Sequence, residues 1–535
     1  MAVITPQTDL YLLKVPLEIN DINQLTFNNA TAQYNYFHSL PHLSVHDFTY
    51  QRKDNTIRYG ANYDSLISYN YVMYRNDAYS NKWFYAFIDG MEYLNDNVTA
   101  ISIKTDVWQT WQFDLAFKRT FVEREHTNND TIGSNLIPEN LELGEYVLNG
   151  SFNKSNTLNF GGTLRYVVNS TYKPYSDTKY EGTNVYGIPI GGALFVFDYW
   201  TQMINAIDDY ATRGRLESIS QVYVVPYVSF NDDDLEFNGN DDEHAFWFFN
   251  GGTTPPTVSA TISRPSSLNN YSPRNKKLLT APFQNFIITN NNGSSNTLSY
   301  EYFSNPSSIT ISGKIIPCVG ASSMAYPKNY KGIENNYNES IMGGKFPALS
   351  WSGDTYTNWL TQNAVNISTG IISDVAGAEL SALGAHYLNY SAEGKKIGEL
   401  SAGTGLFSNI ANTVSEIYKH SLVSQSIQGN TNGGDIVTAN KNNSIYIYQY
   451  CITEQFAQII DRYFDMFGYQ TNNVKVPNIT GRRNWNYVKT IGCYIEADIP
   501  QEDLAEIKSM FDKGITLWHN PSTFADYSQA NDIIS

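Results

Sequence analysis

Six carboxylates and one imidazole crowd into a short stretch: Asp232, Asp233, Asp234, Asp241, Asp242, Glu243 and His244. Closely spaced oxygen ligands suit calcium, but an EF-hand loop sets them at alternate positions around a required glycine. This spacing fits no such loop, and a solvated acidic turn is the simpler reading. The eight histidines form no H-E-x-x-H pair or other zinc pattern. Cys318, Cys451 and Cys493 are odd in number, far apart and without a C-x-x-C pairing, so neither a disulfide framework nor a zinc site is implied. Ser151 and Lys154 match an S-x-x-K acylase motif, a four-residue pattern expected by chance in 535 residues. No G-x-S-x-G elbow or phosphate-binding glycine loop occurs. The expectation is a protein that is not an enzyme, with no catalytic residue, no metal site and no cofactor.

Composition points to a large, turn-rich β protein. Charged residues make up only 16%, against a usual share of about 25%, and Asn, Ser, Thr and Tyr fill the gap. The 40 Tyr outnumber the 35 Lys plus Arg. Tyr and Thr favour half-buried pleated surfaces, and Asn and Gly favour the tight turns between strands. The formal net charge of -17 argues against a protein that grips nucleic acid, because phosphate affinity comes from Lys and Arg displacing counterions. It is compatible with a surface past which DNA slides. The opening MAVITPQTDLYLLKV has no basic stretch leading into a long apolar core, so synthesis in the cytoplasm without a signal peptide is expected.

Four regions follow along the chain. Residues 1–130 read as strands, with alternation over 65–74, 82–88 and 98–107 and turns at Asp89-Gly90 and Asn95-Asp96. Residues 131–345 continue as a β-rich insertion, with strands at 164–168, 192–199, 221–230 and 284–290. Residues 444–535 read as an α+β module. A strand at 444–450 precedes a helix over 453–467, with Thr453 as N-cap and Gly468 as its stop. A strand over 486–498 precedes a second helix that starts at Pro500 and ends at Gly514. This module is expected to join the N-terminal strands in one sheet.

Between these lies 355–443, where the texture changes. Across 361–440 there is no Pro or Trp, only one Phe, and 29 of 80 residues are Gly, Ala or Ser. Apolar residues recur at helix-like spacing at Leu360, Val365, Ile367, Ile371, Ile372, Val375, Leu380 and Leu383, then at Leu406, Phe407, Ile410 and Val414. A passive linker is the bland reading. Yet 359–373 runs fifteen residues without Asp, Glu, Lys or Arg, and small residues let helices pack closely and enter lipid interfaces. A long flexible helical or loop insertion is expected.

Five blocks carry a resemblance: YSNKWFYAF (79–87), DVWQTWQFD (106–114), FVEREH (121–126), NWNYVKTIGCYIEAD (484–498) and DLAEIKSMFDKGITLWH (503–519). In this order they resemble the tail knob proteins of small short-tailed bacteriophages with protein-primed linear genomes. The resemblance implies a virion protein at the tail tip. It would be mainly β, with a tail-tube-like domain closed by both termini, a large β insertion and the α+β module. It also implies a ring of about six copies, an upstream tail or collar protein as partner, and double-stranded DNA passing through without specific binding. The late insertion would plug the lumen and, once released, meet host membrane lipids as a pore. Nine charged residues within 361–440 depart from a dedicated fusion segment.

Trp83, Phe84, Trp108, Trp111 and Trp518 are expected in the packing layer or subunit interface of the tube, since aromatics at alternating strand positions pack more often than they bind sugar. The pairs Arg482-Arg483 and Lys118-Arg119 are expected as solvated charge. Two other classes stay open: a receptor-binding tip that recognises cell-wall polysaccharide, and a cell-wall hydrolase, whose paired carboxylates one sequence cannot display. Limited proteolysis of the purified protein is expected to cut first within 361–440; uniform resistance there would count against a plug that leaves the lumen.

Overall fold

The computed structural model describes residues 8–350 and 444–534, with breaks at 20–21, 47–54, 78–79, 151–155, 318–321 and 346–347 and at positions 162, 240 and 292. The chain divides into two compact units. The first comprises 1–145, 270–283 and 452–535, and the second 146–269 and 284–451. The boundary drawn at 130 from sequence thus falls at 145, and 270–283 returns from the β-rich middle to the first unit.

In the first unit, six antiparallel strands run in the order His42–His46, Thr8–Leu13, Tyr71–Asn76, Phe84–Asn95, Val98–Thr105, Thr56–Tyr59. Side chains alternate across a strand, and here both faces are apolar. Leu10, Leu12, Val72, Ala86, Ile57 and Ile101 share one cluster. Leu13, Tyr71, Met73, Tyr85 and Phe87 join Phe37, Trp485 and Trp518 in another. Phe37 belongs to the helix Ala30–Ser39, found where strands are expected, whose N-cap Asn29 accepts from the Ala32 amide at 2.8 Å.

The second sheet takes strands from both ends of the chain, in the order Asn23–Leu25, Ile515–Trp518, Trp485–Ile491, Thr120–Glu125, Tyr469–Lys475. Thr120–Glu125 is antiparallel to both of its neighbours, and Asn23–Leu25 is parallel to Ile515–Trp518. The helix Glu454–Phe467 buries Ala457, Ile460 and Phe464. The helix Gln501–Lys513 buries Leu504, Ile507 and Phe511, and Gly514 ends it at φ 100°.

Several local expectations are corrected. Asp89-Gly90 lies inside Phe84–Asn95, where the pairing shifts between Ile88 and Gly90; the residue pair makes a bulge, not a turn. Tyr63–Leu66 is a helical turn, so the strand expected from 65 begins at Tyr71. The strand expected over 486–498 breaks at Gly492, φ 67°, into Trp485–Ile491 and Ile495–Glu496. Thr453 stands at the N-cap, but its side chain makes no capping bond; its carbonyl accepts from the Ala457 amide at 2.9 Å.

In the second unit, the order Leu235–Asn238, Phe246–Phe249, Ala193–Phe197, Leu164–Ser170, Ile219–Pro226, Ala348–Ser350 forms another six-stranded sheet. The amphipathic helix Trp200–Thr212 packs Met203, Ile204, Ala206 and Tyr210 with Phe195 and Phe197. Val167, Val196 and Val225 belong to a second cluster, with Ile309 and Ile311 of Ile309–Ile315 and with Phe286 and Ile445 of the paired strands Gln284–Thr289 and Ser444–Ile452. Residues 351–443 depart after Ala348–Ser350, which pairs with Gln221–Tyr223, and return at Ser444, paired with Asn159.

Candidate functional site: a buried charged clasp

The FVEREH block forms the strand Thr120–Glu125 and the residue after it. Burial on both sides of a sheet should exclude charge, yet three of these six residues are charged and one is a histidine. Each is matched. Lys489 Nζ lies 3.0 Å from Glu123 Oε1. Arg124 donates to the Gly468 carbonyl at 2.7 Å and to the carboxylate of Glu139. Glu125 pairs with Lys475 and accepts from the Asn478 amide at 2.9 Å.

Glu139 is the centre. Its side chain is fully buried and is shared by Arg124, by Lys277 Nζ at 2.5 Å and by the Gln470 amide at 2.9 Å. Lys277 sits in the returning segment 270–283, and its neighbours there are held in the same way. Asp461, fully buried on the helix Glu454–Phe467, accepts from Tyr271 Oη at 2.6 Å and from the Arg274 and Asn275 amides at 2.8 and 3.0 Å. Asp465 accepts from Asn275 Nδ2 at 2.8 Å and pairs with Arg274. Asp130 accepts from Tyr469 Oη at 2.5 Å and from the Lys276 amide at 3.0 Å. Burial raises the Asp130 and Asp465 carboxyls and lowers Lys277.

His126 is neutral by construction. Its Nδ1 accepts from the Tyr487 amide at 2.8 Å, so Nε2 carries the proton and donates to the Asp465 carbonyl at 2.9 Å. Burial, then the nearby Arg482, drives it down to about 3. Gly468 closes the clasp at φ 64°; a Cβ there would stand 2.1 Å from the Glu125 carbonyl.

The DVWQTWQFD block makes a second joint. Asp106 caps the short helix Val107–Trp111 through the Gln109 amide at 3.0 Å and accepts from Tyr71 Oη at 2.9 Å, while burial pushes its carboxyl up to about 6. Trp108, buried, donates to the Leu25 carbonyl at 2.8 Å and packs on Phe511. Trp111, half-buried, donates to Asp503 at 2.8 Å and meets Phe84 edge-on. Trp83, also half-buried, stacks on Tyr34 at 5.2 Å under Arg75. Trp518, buried, lies 4.8 Å from Trp485 and donates to Asn23 at 2.9 Å.

The charged network is satisfied from within the chain. Its acceptors are engaged by protein donors, and no group of three or more His, Cys, Asp or Glu among the described residues is placed to hold a metal. The acidic stretch resolves into two turns, with Asp241 accepting from the Glu243 and His244 amides. Burial pushes the Cys451 and Cys493 thiols up to about 11. Arg482 is corrected from solvated charge: only 8% exposed, it donates to the Thr127 and Asn531 carbonyls. Lys118 pairs with Glu496 at 2.9 Å, and Arg119 donates to the Val474 carbonyl. The twelve apolar positions from Leu360 to Val414, Ser151, Lys154 and Cys318 lie outside the described residues. Among the described residues no helix is long and apolar enough to cross a membrane.

The family model for the C-terminal domain of tail knob protein gp9 of Bacillus phage phi29 matches residues 249–532, more than half of the chain. The chain belongs to the tail knob family. That match includes the return segment, the helix carrying Asp461 and the C-terminal module. A second model, the caudoviral major tail protein N-terminus, matches residues 7–116. The tail knob protein gp9 of Bacillus phage B103 is 26% identical and that of phi29 24%, with 95% and 98% of each chain aligned. The tail knob protein gp12 of bacteriophage C1 has the same fold, with a TM-score of 0.64 at 16% identity over 98% of this chain and 100% of that one. Tail knob proteins are virion components, built into a tail with other tail proteins.

Removing Glu139 leaves Lys277 and Arg124 buried with one fewer anion, so Glu139→Ala should cost roughly 3–5 kcal/mol. Urea unfolding reads this, and Glu139→Leu with Lys277→Met should recover part of it. Acid should also loosen the unit. The His126 and His519 pKa values are depressed from 6.5 to about 3 and about 4. Their contribution is therefore present above pH 6.5 and is lost as pH falls through those values, about 5 kcal/mol for His126 alone. Asp106 acts oppositely: raised from 3.8 to about 6, its contribution is present below 3.8 and lost by about pH 6, and is worth about 3 kcal/mol. The melting temperature should fall from pH 7 to pH 4, and less steeply in His126→Gln.

Proposed function

We propose that this chain forms the distal knob of a short phage tail as a ring of identical copies, six on the family resemblance, through which the genome leaves. The observation that carries the reading is the coincidence of the major tail protein match, residues 7–116, with the six-stranded sheet, in whose core Trp485 and Trp518 of the C-terminal strands also pack. A wall built from both ends of one chain accepts a long insertion at low cost, because loop-closure entropy grows only logarithmically with length.

Residues 355–443 are the plug in this reading, tethered at Ala348–Ser350 and at Ser444. Weak apolar contacts among the copies hold the segment in the lumen. Release exposes faces that lipid satisfies, and the segment enters the host membrane as a pore. DNA passes without specific contacts: six copies carry 6 × (-17) = -102 formal charges, and acidic groups facing the bore repel phosphate. The upstream tail protein is the second partner, and cell-wall polysaccharide is a third, assigned to the second unit. The role is mechanical, and catalysis has no part in it.

Electron microscopy of the purified protein tests the reading. Rings with an axial hole are expected, and deletion of 361–440 should leave the ring intact and the bore clear. A protein that stays monomeric overturns the proposal.

A further inference from the structure

Two aromatic side chains meet across an edge of the second unit. Phe237 and Trp247 face each other in register on adjacent strands, with ring centroids 5.0 Å apart. Phe237 is 56% exposed, which no core role requires. Behind them runs a continuous polar chain. Trp247 Nε1 donates to Asp198 Oδ2 at 2.7 Å, and Asp198 Oδ1 accepts from Arg165 Nε at 2.9 Å. Arg165 is fully buried, with its guanidinium 3.5 Å from the ring centre of Tyr227, itself 39% exposed, and 3.5 Å from Asp232. One Arg165 nitrogen, Nη1, has no partner.

A buried guanidinium is costly unless it fixes something. Here it fixes Asp198, whose carboxylate is one-third exposed. An ionised carboxylate offers about four acceptor sites, and two are used within the chain. The exposed Phe237 ring, backed by the half-buried Trp247 and set beside an oriented acceptor, fits a sugar, whose C–H face packs on an aromatic ring while its hydroxyls donate. The linked charges, two carboxylates against one guanidinium, sum to -1, and Asp233 and Asp234 adjoin Asp232. Such a surface repels nucleic acid and phosphate-linked polymers.

We propose that Phe237, Trp247 and Tyr227, with Asp198 held by Arg165, form a binding platform for neutral hexose units of a cell-wall polysaccharide. This deepens the polysaccharide contact in the reading above and does not depend on ring formation. The hydrogen-bonded carboxylate orients the sugar ring, and the aromatic pair supplies the contact area.

Ligand-observed NMR on the full chain tests this with tetrasaccharides of glucose and of N-acetylglucosamine, and a glycerol-phosphate oligomer as the anionic control. Binding of at least one neutral tetrasaccharide and not of the anion is expected. Phe237→Ala should weaken that binding up to about tenfold, and Asp198→Asn should also weaken it, with the melting temperature of Phe237→Ala unchanged. Failure to bind either neutral sugar, equal binding of the anion, or unchanged affinity in Phe237→Ala overturns the proposal. So does a changed sedimentation coefficient of Phe237→Ala, which would make the rings a contact with a second copy. Sugar binding by a monomer supports the platform and counts against the ring alone.

Discussion

The carboxylate of Glu139 is the constraint on which the first unit depends. It is fully buried between Arg124, from the N-terminal third, and Lys277, from a segment that returns after 124 residues in the second unit. Charges taken out of water cost several kcal/mol each, and the cost is recovered only where geometry and further hydrogen bonds are good. The Gln470 amide, the Gly468 carbonyl and the Asp461 and Asp465 carboxylates supply those bonds. An apolar contact would hold the same segments, but many registers would satisfy it. The acid–base pattern accepts only one. We read the clasp as a specificity device that returns a chain with two long excursions to a single wall.

That arrangement divides the chain into a cross-braced first unit and two excursions from it. In the first unit the sheets are apolar on both faces or stitched by paired charges, and DVWQTWQFD ties the first sheet to Leu25 and Asp503. The excursions leave from and return to that wall. Because closure entropy is a weak function of loop length, the middle of the chain is free to vary while the ends stay matched. The two family matches, 7–116 and 249–532, leave 117–248 between them, a stretch that includes the second unit's aromatic edge.

Much of the wall was legible in the sequence. Alternation located Val98–Thr105 in the first unit and Gln284–Thr289 in the second, the glycine stops located both C-terminal helices, and the C-terminal strands do share a sheet with N-terminal ones around Thr120–Glu125. The misses have physical causes. Trp200–Thr212 has helical periodicity in Trp200, Met203, Ile204 and Ile207, but the β-rich surroundings masked it. Tyr469–Lys475 carries Asn472 and Asn473, residues that favour turns, and its strand conformation is set by pairing with Thr120–Glu125. The clasp itself was nearly invisible. FVEREH stands out as a block, but nothing in one sequence says that Glu139 pairs with Lys277 while Asp461 holds the residues just before it, across 322 positions, and Arg482 reads as surface charge for the same reason. The one available signal was that FVEREH and its neighbours place charge inside an otherwise apolar strand pattern.

Both ends of the chain belong to one unit, and the clasp should make them open cooperatively. Native-state hydrogen exchange measures this directly, comparing amides of Thr120–Glu125, Tyr469–Lys475 and Trp485–Ile491 in the wild type and in Glu139→Ala. The account predicts a common opening free energy for the three strands, falling together in the variant. Strands that open independently, or an N-terminal strand whose protection ignores the loss of Glu139, would contradict it.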